Sequence, residues 1–328
     1  MKKQFISDIT SEGKKVESTF ALKFKKPPVD YKSNKEGKWF EMRLADKTGE
    51  ITAKYWGNDE KKTLDIYDSF SRGCVVSLTG TVQEYPKGSN NFSISIDSAI
   101  DTLKVCEIRE YDVGDFVATT TKDIDKMLVE VRSILASVKD KDLIRLVMLF
   151  VRDKKFMDLF SKTPAAMEYH QNYVGGLLEH TLNVMKIADN VCSLYPELDR
   201  DLVVSGAFLH DIGKMSELEL SGTLIGVSHE GMLIGHTVIG HDMVSKRIAG
   251  LDDFPVTLKL KLLHIVLSHN GHKEYGSPKV PQLPEAVVIH HADDCDAKVD
   301  IFLRLKREAN TDDPWIWDKK IKGHVYLE

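Results

Sequence analysis

The chain has four cysteines, Cys74, Cys106, Cys192 and Cys295, and none forms a CxxC pair. That argues against a zinc ribbon and against a dithiol redox motif. Scattered thiols without a framework fit a reducing cytosol, so a cytoplasmic location is expected. No apolar run is long enough to span a bilayer, and no membrane partner is expected. The start, MKKQFISDITSEGKK, carries lysines but no apolar stretch, so it does not read as a signal peptide. Repeats and low-complexity tracts are also missing. Net charge is −5, so overall basicity gives no argument for nucleic acid. Histidine is absent from the first 169 residues; all 12 fall at position 170 or later.

What is present is a globular chain of 328 residues, long enough for two domains with real cores. Its charge is uneven. Residues 1–105 hold 18 Lys+Arg against 15 Asp+Glu, and the remainder 27 against 35. A slightly basic front and an acidic rear fit a binding module joined to a carboxylate-rich catalytic module, and ordinary surface variation gives the same numbers. Alternating apolar residues at 20–24, 39–44, 51–56, 74–82 and 91–96 predict five short strands. Residues 58–70 fit a helix between the third and fourth. Five strands with a helix in that place is the order of an OB-fold barrel.

From about residue 115 the apolar period becomes helical. Ile124, Met127, Leu128, Val131, Ile134, Leu135 and Val138 mark one face, with Thr121 or Asp123 as the cap. Residues 143–160 continue in the same period. From 165 onward nearly everything reads as helix, punctuated by Gly and Pro. The expected division is 1–105 as an OB-like nucleic-acid-binding domain and 106–164 as a linker with packing helices. Residues 165–310 form the catalytic domain and 311–328 a tail.

The histidines cluster at predicted helix ends. His180 lies near the start of helix 177–192, just after Gly175-Gly176. The pair His210-Asp211 ends the apolar helix 202–209. His236 falls in a helix starting near His229, His269 ends helix 256–268, and Asp293 lies on a helix opened by Pro284. Imidazole nitrogens and carboxylate oxygens without thiolate suit Mn, Fe, Mg, Zn or Ni. A carboxylate can also bridge two cations that together clamp a phosphate ester. Lys214, three residues after the pair, is placed to meet a phosphate oxygen, although a surface lysine reads the same way. A His-Asp dipeptide alone is weak evidence: His241-Asp242 repeats it and reads as a solvated helix pair.

The setting of the first pair, Ala207-Phe208-Leu209-His210-Asp211-Ile212-Gly213-Lys214 behind Gly175-Gly176-Leu177-Leu178-Glu179-His180-Thr181, resembles the HD phosphohydrolase superfamily. That resemblance implies an all-α HD helical bundle with divalent metal at His180, His210, Asp211 and Asp293. Binuclear members add histidines between the pair and the last Asp, and His236 and His269 stand in that order. Where many such members have His-His, this chain has His269-Asn270, so one ion or two remain open at this stage. His170 is placed to position substrate or orient a ligand, and His290, three residues before Asp293, reads as a partner to a ligand.

The OB-like front, the segment 169–181 and the segment Ser268-His269-Asn270-Gly271 with Glu274-Tyr275-Gly276-Ser277-Pro278 together resemble the YhaM family of 3′→5′ exoribonucleases. The resemblance covers nearly the whole chain. It implies Mn-dependent hydrolysis of single-stranded RNA, with single-stranded DNA as a further substrate, to nucleoside 5′-monophosphates by metal-hydroxide attack. A homo-oligomer is compatible with it. His210, Asp211, Lys214 and His170 are then the catalytic candidates. Trp39, Phe40, Arg43, Tyr55, Trp56 and Phe92 are the nucleic-acid-binding candidates, since aromatic faces stack on bases and cations track phosphates. By alternation about half of such strand aromatics point inward. Two rival readings share these residues: a cyclic (di)nucleotide or nucleotide phosphohydrolase with a regulatory OB module, and a non-catalytic nucleic-acid-binding protein.

Overall fold

The structure is a computed structural model that describes residues 2–32, 36–167, 169–221, 223–309, 311, 313–319 and 321–328. The chain divides into two compact units, Met1–Ala118 with Leu220–Ile225, and Thr119–Glu219 with Gly226–Glu328.

The first unit is a closed barrel. Its elements are β1 (Lys15–Lys25), β2 (Val29–Asp30), β3 (Lys38–Asp46), β4 (Gly49–Trp56), α1 (Glu60–Asp68), β5 (Val75–Glu84), β6 (Phe92–Asp97) and β7 (Leu103–Val105). The strands run β1-β3-β4-β6-β5, and β5 pairs back onto β1 to close the ring. Among the described barrel pairings, β4–β6 alone is parallel. The five expected strands and the helix therefore appear in OB-fold order, with β2 and β7 as short additions to the barrel. Alternation builds the core: Phe20, Leu22, Phe40, Met42, Leu44, Ala53, Leu78, Ile94 and Ile96 are all buried. Asp59 caps α1, its carboxylate accepting from the Lys62 N–H at 2.8 Å.

The second unit is mostly helical. Its first helices are α2 (Ile124–Ala136), α3 (Lys141–Val151) and α4 (Lys154–Phe160). Asp123, not Thr121, caps α2. The expected continuous helix over 143–160 is broken in two, because Asp153 leaves helical geometry to accept from the N–H groups of Lys155 and Phe156. These helices share one apolar core with α5 (Gly176–Leu194), α6 (Arg200–Leu209), α9 (His236–Ala249), α10 (Val256–Ser268) and α11 (Pro284–Glu308). Between α6 and α9 lie α7 (Lys214–Glu217), the hairpin β8 (Leu218–Ser221) and β9 (Leu224–Val227), and α8 (His229–Ile234). Two further expectations are corrected here. The helix starting at His229 ends at Gly235, whose φ of +80° and ψ of 150° lie outside helical geometry, so His236 opens a new helix. Residues 311–328 are not a plain tail: they hold the hairpin β10 (Trp315–Asp318) and β11 (Gly323–Tyr326). Among the described residues no helix is long and apolar enough to cross a membrane.

Candidate metal centre

The second unit gathers four imidazoles around one carboxylate, and each arrives by a local device. His210 and His269 stand at the C-terminal ends of α6 and α10 and use the same one. Each turns its Nδ1–H back onto a carbonyl three residues earlier, Ala207 O at 2.7 Å and Val266 O at 2.8 Å. A helix end leaves such carbonyls unpaired, so the bond satisfies the backbone and aims Nε2 forward. His180 lies in the first turns of α5. A Cβ on Gly176 would sit 2.0 Å from Gln171 O, so the Gly-Gly entry brings this helix hard against the backbone of Ala165 and Gln171. His236 opens α9, with its backbone N–H and its Nδ1 both directed at the Glu217 carboxylate, at 3.0 Å and 2.9 Å.

Every Nε2 then faces Asp211. Oδ2 lies 3.5 Å from His180 and 3.3 Å from His210; Oδ1 lies 3.6 Å from His236 and 3.3 Å from His269. Asp293 on α11 places Oδ1 3.1 Å from His180 Nε2. Two donor groups result: His180, His210, Asp211 and Asp293, and Asp211, His236 and His269. Asp211 belongs to both, one oxygen toward each. Asp211 Oδ1, His236 Nε2 and His269 Nε2 are buried with no hydrogen-bond partner among the described residues. Buried polar atoms are seldom left so, and three that converge on one point are atoms a bound cation would satisfy. With every imidazole Nδ1 already committed, the residues fit divalent-metal binding, and Asp211 offers an oxygen to each donor group. Asn270 removes no donor from either group.

Charge reinforces the arrangement. Burial opposes ionisation of Asp211, but the Lys214 ammonium and His210 override it and hold the carboxyl well below its usual range. Lys214 Nζ pairs with Oδ2 at 2.6 Å. Burial likewise opposes ionisation of Glu217, and the hydrogen bond from His236 outweighs it and lowers its pKa. His170 is in neither donor group. Its ring packs on His180, centroids 4.7 Å apart, with Nδ1 2.8 Å from Gln171 Oε1. Burial, then His180 and Lys214, push its pKa down to about 3, so the ring is neutral. A cleft of about 590 Å³ adjoins the centre, lined in part by His170, Lys214, His236, Tyr275, Asp293 and Lys298. His290 donates from Nδ1 to His269 O at 2.8 Å, while His241 and Asp242 pair with each other at 3.0 Å.

Two residues at the centre escaped the sequence reading. Asp296, one turn beyond Asp293, accepts from His180 Nδ1 at 2.7 Å, Gln171 Nε2 at 2.9 Å and Asn183 Nδ2 at 2.8 Å. Its i+3 spacing from Asp293 was the available signal. Glu217 had none, since its partner His236 is brought to it by the α8–α9 break. Asp296→Asn is expected to weaken divalent-ion binding by about 10- to 100-fold, because one neutral oxygen and an NH2 group must then face the three donors His180 Nδ1, Gln171 Nε2 and Asn183 Nδ2, which loosens the His180 ring. Titration of the chelator-stripped protein with metal checks this; unchanged affinity contradicts it.

On the barrel the expected binding residues separate by strand parity. Trp39, Arg43 and Trp56 lie on the outer face of β3 and β4, where Trp39 stacks on Trp56 at 5.2 Å. Tyr31, not foreseen, also stacks on Trp56, at 6.1 Å. Phe40 and Tyr55 are corrected: both rings are buried in the core and stack on each other. Phe92 shares the parity of Ile94 and packs against that core. Arg43 is held by Glu50 at 3.1 Å and Thr52 at 3.0 Å.

A barrel of OB topology joined to a helical unit with this His/Asp centre defines a two-module metal-dependent phosphohydrolase of the HD class. Residues 25–101 match the family of OB-fold nucleic acid binding domains, and residues 177–298 match the HD domain. The 3′-5′ exoribonuclease YhaM of Listeria innocua serovar 6a is 34% identical over 274 residues, 81% of this chain and 80% of that one. That of Bacillus subtilis strain 168 is 31% identical over 268 residues, 80% and 79% respectively. The chain belongs to the YhaM family. Among solved structures, the p204 HINb domain aligns with 32% of this chain and 47% of that one, at 13% identity and a TM-score of 0.24, too weak to bear on the fold.

Proposed function

We propose that this chain is a 3′→5′ exoribonuclease that shortens single-stranded RNA, with single-stranded DNA as a further substrate, to nucleoside 5′-monophosphates in the cytosol. The observation that carries the reading is the pair of donor groups sharing Asp211 beside an open cleft. Manganese is the proposed ion, since imidazole and carboxylate donors without thiolate suit it. His180, His210, Asp211 and Asp293 would hold one ion, and Asp211, His236 and His269 the other. Bound there, the ions would supply Lewis-acid charge and an activated water for in-line displacement at phosphorus.

The chain's own residues do the rest. Asp211 holds the two groups at a fixed separation. Lys214, at the cleft wall, offsets negative charge that grows on the phosphoryl oxygens. The Gln171 amide donates to Asp296, so its oxygen must accept, and His170 Nδ1 carries the proton. His170 Nε2 is therefore an acceptor and orients a hydroxyl or water in the cleft. Trp39, Trp56 and Arg43 on the barrel give a stacking face with a cation for strand entry.

Incubation of 5′-labelled RNA with Mn²⁺ is expected to give a ladder that shortens one nucleotide at a time. Mass analysis should find nucleoside 5′-monophosphates. Internal cleavage alone, or turnover only of cyclic dinucleotides offered in parallel, overturns the reading.

A further inference from the structure

The chain has four tryptophans, and none of them is in a core. Trp39 and Trp56 are the half-buried pair on the barrel. Trp315 and Trp317 lie in β10, with 51% and 61% of their surfaces exposed. Tryptophan is usually among the most buried side chains on average, so four surface placements in two pairs need a physical reason.

The C-terminal ribbon is two-faced. β10 and β11 pair antiparallel, with Trp315 opposite Tyr326, Ile316 opposite Val325 and Trp317 opposite His324. Alternation puts the aliphatic pair on one face, where Val325 is buried as β11 packs on α11. The other face carries Trp315, Trp317, His324 and Tyr326, all exposed. The rings meet across the strands, Trp315 with Tyr326 at 4.9 Å and Trp317 with His324 at 5.0 Å. Along a strand, side chains on one face recur about every 6.8 Å, twice the roughly 3.4 Å spacing of stacked bases.

Charge at the ribbon suits the same ligand. Lys319 and Lys322 are exposed in the turn, and neither has an acidic partner among the described residues. The nearby carboxylates are engaged in holding the hairpin. Asp313 accepts from Trp315 N at 2.9 Å, Asp318 from Ile321 N at 2.9 Å and Glu328 from the Tyr326 hydroxyl at 2.6 Å. An aromatic face beside free ammonium groups is the make-up of a single-strand stacking platform.

We propose that the C-terminal hairpin is a second binding platform for single-stranded RNA, stacking bases on Trp315 and Trp317 and meeting phosphates with Lys319 and Lys322. The proposal rests on the RNA-degrading reading for its choice of ligand. Its test reads binding without turnover, so the two can fail separately.

The test uses the full chain with chelator present. In Trp39→Phe/Trp56→Phe protein the hairpin supplies the remaining indoles, and oligouridylate is expected to quench their fluorescence. Trp315→Ala/Trp317→Ala should raise the Kd for the same strand about tenfold, at unchanged sedimentation. Should that variant fold poorly, Lys319→Glu/Lys322→Glu keeps the aromatic face. It should lower the slope of log Kd against log salt by about 1.4. Bound RNA without quenching, or Kd and salt slope both unchanged, overturns the proposal. So does a changed oligomeric state at constant RNA affinity, which would assign the face to a second copy of the chain.

Discussion

Asp211→Asn is expected to lower RNA turnover by about a thousandfold or more, with the stoichiometry of bound metal falling below that of the unaltered protein. The size follows from position. Asp211 is the one residue common to both donor groups, with each oxygen within 3.6 Å of two imidazoles. An amide keeps the volume but offers one neutral oxygen where two charged ones stood. Both cation sites are weakened together, and several kcal/mol of transition-state stabilisation depends on them; each 1.36 kcal/mol is tenfold in rate. The substitution also leaves the Lys214 ammonium without its partner at 2.6 Å. Some loss of stability in metal-free protein is therefore expected. Kinetics at saturating Mn²⁺, metal analysis and thermal unfolding separate these effects. A variant that holds the full metal complement and keeps wild-type kcat would remove Asp211 from the centre.

Much of this centre was legible because its residues are marked in one dimension. His210-Asp211 and His269 close apolar helices, and a helix end is readable from composition. Asp293 follows Pro284 by a countable number of turns. The barrel was equally legible, because period-two alternation fixes both strands and core. Parity within a strand separates Phe40 from Trp39 once one inward residue is known, but which parity faces inward is decided by barrel closure. Long-range partners were not legible. Asp296 meets His180 across 116 positions, and Glu217 meets His236 only because Gly235 breaks the helix. Local strings carry no record of such pairings. The C-terminal hairpin was missed for a related reason: four-residue strands of mixed polarity give too little period to register.

Gly213→Ala is expected to cost about a hundredfold in kcat and about 1–3 kcal/mol in stability, although the residue touches no donor atom. Gly213 has φ −62° and ψ −22°, where alanine is ordinarily the better residue. The obstacle is space. A Cβ there would lie 2.0 Å from His236 O and 2.7 Å from Gly240 N, both backbone atoms of α9. Backbone cannot swing aside as a side chain can, so the first turns of α9 must move away from Asp211. That movement carries His236 with it, and a misplacement of about 1 Å at a reacting centre can cost a hundredfold. The His180, His210 and Asp293 donors lie on α5, α6 and α11 and are not displaced by α9. The variant should therefore retain one ion tightly and hold the second weakly, which sets it apart from Asp211→Asn. Gly250→Ala serves as the control, since its Cβ would meet Arg247 O at an ordinary 3.5 Å. Two tightly held ions and wild-type kcat in Gly213→Ala would show that the contact between Gly213 and α9 does not set the geometry of the centre.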